Sequence, residues 1–172
     1  MKYSRSIIIA AVLVLGSAIG VSAQDWVKLA PEGGGFEIMM PGTPTASVET
    51  KDGPEGPVTT SLYILRSAGA TFFIGYADYD PKFKFDIRAE INANRDNFMK
   101  PFKDGKILTE KEKPIAGNAG IEFTAELNPT ASMTSRVFVI GRRPYQIAVI
   151  TPKGSEQADT VRFLDSFKIT RK

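Results

Sequence analysis

Two adjacent guanidiniums offer the first chance of chemistry. Arg142 and Arg143 lie between Gly141 and Pro144, with Arg136 in the apolar run before them. Paired guanidiniums on a rigid turn can grip a carboxylate or phosphate in a planar, two-pronged contact. The same residues would equally serve as solvated charge at a loop tip, the default setting for Arg. A second group, Asp78, Asp80 and Asp86 in the stretch YADYDPKFKFD, presents carboxylates to a hard cation. Calcium takes about six to eight oxygens, commonly around a Gly turn. Here Pro81 and basic or aromatic residues fill the intervening loop and no Glu completes a cage, so a strand end and a helix cap account for these aspartates, and no metal is expected. A third group sets Tyr76, Tyr79, Phe83 and Phe85 where a strand gives way to a helix. Rings with polar tips suit a ligand groove, and at this alternating spacing they equally suit a core. The binding candidates are therefore Arg142, Arg143, Tyr76 and Tyr79.

Much other chemistry is absent. The sequence holds no His and no Cys, which removes Ser-His-Asp and Cys-His catalysis, zinc sites built on those residues and His-held haem. No G-x-S-x-G stretch occurs, and no pair of carboxylates comes with a shielded pocket. The expectation is a non-enzymatic domain without a cofactor that binds a protein partner or a small ligand. A hydrolase using only Ser, Lys, Tyr and carboxylates, or an envelope assembly factor, are the alternatives.

The first residues carry an address rather than a fold. Lys2 and Arg5 precede an apolar run from Ile7 to Ile19, and Val21-Ser22-Ala23 supplies the small residues a signal peptidase reads. That run of 13 residues falls short of the roughly 20 that span a bilayer. Residues 1–23 are thus expected to be a signal peptide cut between Ala23 and Gln24. The product would be secreted or periplasmic, with no transmembrane segment left. Removing 23 of 172 residues leaves 149, enough for one domain with one core. Cleavage also lowers 22 basic residues to 20 against 19 acidic ones, so the net charge falls from +3 to +1. No global field for nucleic acid remains, and none is expected as a partner.

The candidate residues need a scaffold, and the stretch Thr134–Thr151 supplies it. Two runs, Val137–Ile140 and Tyr145–Ile150, flank Gly141-Arg142-Arg143-Pro144. Both read as antiparallel strands of a hairpin. Neither alternates apolar with polar, so the hairpin should lie mid-sheet and be covered on both faces. Further strands are expected at Trp26–Leu29, Phe36–Met40, Ala46–Lys51, Val58–Arg66, Ala70–Asp78, Lys106–Lys113 and Gly120–Asn128. Along Ala70–Asp78, Phe72, Ile74 and Tyr76 share one face, while the small Gly75 and Ala77 beside Phe73 suggest close approach of a helix on the other. Asp86–Phe102 has helical spacing through Ile87, Ile91, Phe98 and Phe102, with Asp86 as N-cap. Ser155 could cap a last helix whose inner face is Ala158, Val161, Leu164 and Phe167.

Five stretches also resemble a widespread group of exported bacterial proteins. Phe36–Pro44 is similar to a strand start F-x-V-x-x-P-G-x-P, and Phe73–Tyr79 to the apolar strand before the helix. Gly117–Glu122 matches G-x-x-G-x-E, Arg136–Val149 matches R-x-x-x-x-G-x-R-x-Y-Q-x-x-V, and Phe163–Phe167 matches F-x-x-S-F. The group resembles the PsbP-like α/β/α sandwich, also the fold of an extrinsic photosystem II subunit and of Ran-GTPase-binding proteins. The motifs are turns and core strands, so the resemblance implies a fold rather than an activity. It covers nearly all of residues 25–170. The expected class is α+β, a single domain over 24–172 with a central antiparallel sheet and helices packed on its faces.

Overall fold

The computed structural model describes residues 25–67, 69–155 and 158–170. The expected signal peptide lies outside the described residues. The elements are β1 (Val27–Leu29), β2 (Phe36–Met40), β3 (Thr45–Gly53), β4 (Gly56–Ser67), β5 (Ala70–Tyr79), α1 (Ile87–Met99), β6 (Lys106–Glu112), β7 (Gly120–Asn128), β8 (Ala131–Ile140), β9 (Arg143–Pro152), α2 (Ala158–Asp165) and β10 (Lys168–Ile169). Seven strands form one antiparallel sheet in the order β3-β4-β5-β9-β8-β7-β6, and β1-β2-β10 form a second, small sheet. The expected hairpin is β8–β9, and β9 is the middle strand of the seven. Burial on both faces is what puts it there.

Alternation sends the residues of β4, β5, β8 and β9 to two separate cores. Phe72, Ile74, Tyr145 and Ile147 meet Phe36 and Ile38 of β2 and Phe163 of α2 on one face. Phe73, Val137, Val139 and Ala148 meet Ile91 and Phe98 of α1 on the other. The fold is therefore α+β and rich in strand. The expected helices packed on the faces supply only part of the cover, because the first face is roofed largely by the small sheet, with α2 beside it. The F-x-x-S-F end joins these layers. The Ser166 hydroxyl donates to the Phe163 carbonyl at 2.7 Å and accepts from the Met39 amide at 2.9 Å, while Phe167 stacks on Phe138 at 5.6 Å.

Local details follow side-chain size. Asp86 is the N-cap of α1, its carboxylate accepting from the Ala89 amide at 2.7 Å. Ile91 and Phe98 are buried as expected, whereas Ile87, in the first turn, is 46% exposed. In α2 the inner face is Phe163 and Leu164, while Val161 is 61% exposed. The larger ring wins the sheet, packing edge-on against Phe72 at 5.3 Å. The space over Gly75 is filled by Leu62 and by the ring of Phe73, not by a helix. Gly120, in the G-x-x-G-x-E stretch, has no room for a side chain. A Cβ there would lie 2.4 Å from the Phe138 ring and 2.7 Å from the Lys113 carbonyl oxygen.

Candidate functional site

The β8–β9 connection is shorter than the sequence suggests. Ile140 pairs with Arg143 and Val139 with Pro144, so the loop is only Gly141-Arg142. Gly141 adopts φ 63° at the first loop position, the conformation of a type II′ hairpin turn and one that glycine adopts at no steric cost. Pro144 is tolerated inside β9 because the ladder to β5 stops at Tyr76↔Tyr145, leaving its missing N–H nothing to serve. Arg143 thereby becomes a strand residue. This corrects the expectation of two guanidiniums side by side at an exposed tip.

Arg143 is 8% exposed and fully engaged. Continuing the β5–β9 register past its last pair puts Asp78 opposite it. The guanidinium donates from Nε to Asp78 Oδ1 at 2.6 Å and from Nη2 to Oδ2 at 2.8 Å. Nη1 donates to the carbonyls of Gly33 and Gly34 at 2.6 and 2.9 Å, and the Tyr145 hydroxyl donates to Gly34 as well, at 2.8 Å. The guanidinium lies 4.7 Å from the Tyr76 ring centre, in range for a cation–π contact. Burial works against the charge of Arg143, but the hydrogen bonds with Asp78 and Tyr145 outweigh it and hold its pKa above the ordinary value. Arg143 thus clamps the β1–β2 turn, which belongs to the small sheet, onto the large one.

Arg142 is exposed and faces another partner. Its Nη2 donates to the Phe83 carbonyl at 2.6 Å, with longer contacts of 3.4 Å to the carbonyls of Asp80 and Pro81. Its guanidinium sits 5.4 Å from the Phe85 ring centre. The Asp80–Phe83 turn is itself closed by the Phe83 amide on the Asp80 carbonyl at 2.9 Å. Beneath it Tyr79 packs on Phe83 at 4.5 Å and on Phe85 at 5.6 Å, and its hydroxyl donates to Glu90 of α1 at 2.7 Å. Burial, then the bond to Glu90, pushes the Tyr79 phenol well above its ordinary pKa. The structure therefore joins Arg142, Tyr79, Phe83 and Phe85 at one corner. Tyr76 does not belong there, because it is buried on the opposite face among Phe36, Tyr145 and Arg143. Strand alternation separates Tyr76 from Tyr79.

The three aspartates also separate. Asp78 pairs with Arg143, Asp80 Oδ1 accepts from the Lys82 amide, and Asp86 caps α1. Among the described residues no cluster of His, Cys, Asp and Glu could hold a metal. A fourth centre gathers around Arg136, which the sequence sets in the run before the hairpin loop. Arg136, 8% exposed, donates to Glu122, to the Leu164 carbonyl and to Asp165, all at 2.7 Å. Glu122 is its direct neighbour in the β7–β8 register, which the spacing of the two strands could have revealed. The contacts with the end of α2 have no signal in sequence, though a cation there complements the helix dipole. A depression of about 110 Å³ on the small sheet is lined by Lys28, Glu37, Ile38, Met39, Ser166 and Lys168. It is small beside the roughly 300 Å³ and upward of drug-sized sites.

These layers define the PsbP-like fold class. The chain is similar to the solution structure of cyanobacterial PsbP (CyanoP) from Synechocystis sp. PCC 6803, with a TM-score of 0.55 and 14% identity over 90% of this chain and 98% of that one. At that identity the likeness carries the fold alone. No protein-family model matches the sequence, and no curated protein does. Among the described residues no helix is long and apolar enough to cross a membrane.

Proposed function

We propose that this chain is an exported, non-enzymatic domain that recognises a protein partner or a small ligand through the corner formed by Arg142, Tyr79 and Phe85. One observation carries this proposal. Among the described residues the hydrogen bonds of Arg142 all pass through Nη2, so Nε and Nη1 remain to meet a carboxylate or phosphate from outside. The turn beneath is held by Asp80 and the rings of Tyr79 and Phe83, so little freedom is lost when an anion docks. Arg beside aromatic rings is also the composition of interface hot spots.

A non-enzymatic role is favoured by the lack of His and Cys in the whole sequence. It is also favoured by the fate of the buried cations, since Arg136 and Arg143 are spent on carboxylates and carbonyls of the chain itself. Export rests on Lys2, Arg5, the Ile7–Ile19 run and Val21-Ser22-Ala23. The test is affinity capture with chemical crosslinking from the periplasmic and culture fractions, comparing the native chain with Arg142→Ala. The proposal expects a partner that the variant fails to retain.

A further inference from the structure

The two edges of the large sheet are built differently. At β6 the register slips between Ile107 and Thr109, and Glu110 and Glu112 are tied to Arg95 and Arg88 of α1. A bulge and an overhanging helix are common protections against edge pairing. At β3 neither is present. The strand is 9 residues long, pairs with β4 without a slip from Thr45 to Gly53, contains no Pro, and is exposed throughout.

The orientation of its free backbone groups follows from Pro57. That residue stands opposite Asp52, has no N–H, and its carbonyl accepts from the Asp80 amide at 3.2 Å on the β5 side. Asp52 is therefore not bonded to β4, and its N–H and C=O face outward. By the period of two, those of Thr50, Val48 and Ala46 do the same. The contact of the Thr50 and Thr59 hydroxyls at 2.9 Å fits the close side-chain spacing of such a non-hydrogen-bonded pair.

We propose that this edge pairs antiparallel with β3 of a second copy of the chain, with Thr50 opposite Thr50 of the partner copy. The outward groups of Val48, Thr50 and Asp52 then exchange about six backbone hydrogen bonds across the two-fold axis. Charge selects the occupant and the register. Glu49 and Lys51 lie on one face, 3.0 Å apart within the strand. Centring the pair on Thr50 sets Glu49 of each copy against Lys51 of the other, in the non-hydrogen-bonded positions where side chains come closest. The contact also covers Val48, at 68% the most exposed large apolar side chain among the described residues. This surface is independent of the Arg142 corner, so either proposal can fail without the other.

Sedimentation velocity of the purified chain over a concentration series tests it. The native chain should dimerise reversibly. Glu49→Lys and Lys51→Glu should each weaken self-association by about tenfold or more, since like charges replace both attractive pairs. Mixing these two variants should restore a dimer, because each then meets its complement. Thr50→Pro, which removes an N–H facing away from β4, should also abolish the dimer. A native chain that stays monomeric into the millimolar range would overturn the proposal, as would a dimer indifferent to both charge variants. A monomer whose β3 amides become protected only on adding an extended peptide would assign the edge to that class of partner instead, and would equally overturn it.

Discussion

Arg143 and Asp78 face each other two residues beyond the last paired residues of β5 and β9, joined by two parallel hydrogen bonds of 2.6 and 2.8 Å. The pair is a bridge between sheets, because the same guanidinium also holds the carbonyls of Gly33 and Gly34. Replacing Arg143 by Ala would take its donor from the Gly33 carbonyl and its partner from Asp78, while the Gly34 carbonyl would keep the Tyr145 hydroxyl. The Asp78 side chain is 47% exposed, so solvent offsets part of the loss. The expected cost is about 2–3 kcal/mol. Arg143→Lys should recover only a fraction, since an ammonium cannot reproduce the planar fork. Urea melts giving under about 0.5 kcal/mol for Arg143→Ala would show the clamp to be idle.

The second hub predicts a pH dependence. Burial makes Glu122 harder to ionise, but hydrogen bonds from Lys111 and Arg136 outweigh it and hold the carboxyl below its ordinary 4.5. The folded chain therefore takes up this proton less readily than the unfolded one. The contribution is complete above pH 4.5 and is lost as pH falls below it, through the folded-state value. Glu122→Gln should lower stability at neutral pH and flatten the acid limb of the stability curve. Some slope should remain from Glu126, which Lys153 and Lys106 hold down in the same sense. Equal steepness in variant and native chain would remove Glu122 from the account.

Burial on both faces of the central hairpin is the third expectation. Val139 is 1% exposed on the α1 side and Ile147 0% on the small-sheet side. Truncating either to Ala should cost about 2–4 kcal/mol, because a cavity opens in a close-packed layer. The two losses should nearly add, as the residues belong to different cores. If both cost less than about 1 kcal/mol, the hairpin is not the centre of the fold.

What the sequence disclosed, and what it hid, divides along local and long-range lines. The bounds of β2 and β7 could be read residue for residue, since Pro41 stops the first and strict alternation from Ile121 to Leu127 marks the second. The corner of Arg142, Tyr79 and Phe85 is half visible in sequence: its residues can be named, but spacing sets Arg142 apart from the rings and groups Tyr76 with Tyr79 and Phe85. Arg143 looked like loop because Gly and Pro flank it. Its place in β9 depends on Asp78 and on the turn at Gly33, 65 and 110 residues away in the chain. In α2 the choice between Val161 and Phe163 rested on the fit of Phe163 against Phe72, a contact no helical periodicity contains.

Export makes its own expectation. The secreted or periplasmic protein should begin QDWVK, following cleavage after Ala23. N-terminal sequencing of the protein recovered from outside the cytoplasm decides this, and a product that retains Met1 counts against it.

The central claim is that Arg142 is the recognising residue of an exported binding domain. Capture of partners by the native chain, by Arg142→Ala and by Arg143→Lys, run beside thermal melts of each, tests it most directly. The account predicts that Arg142→Ala melts close to the native chain, as exposed Arg substitutions usually do, yet loses the captured partner, whereas Arg143→Lys melts lower and keeps it. Recovery of the same partner in the same amount by native chain and Arg142→Ala would contradict the account.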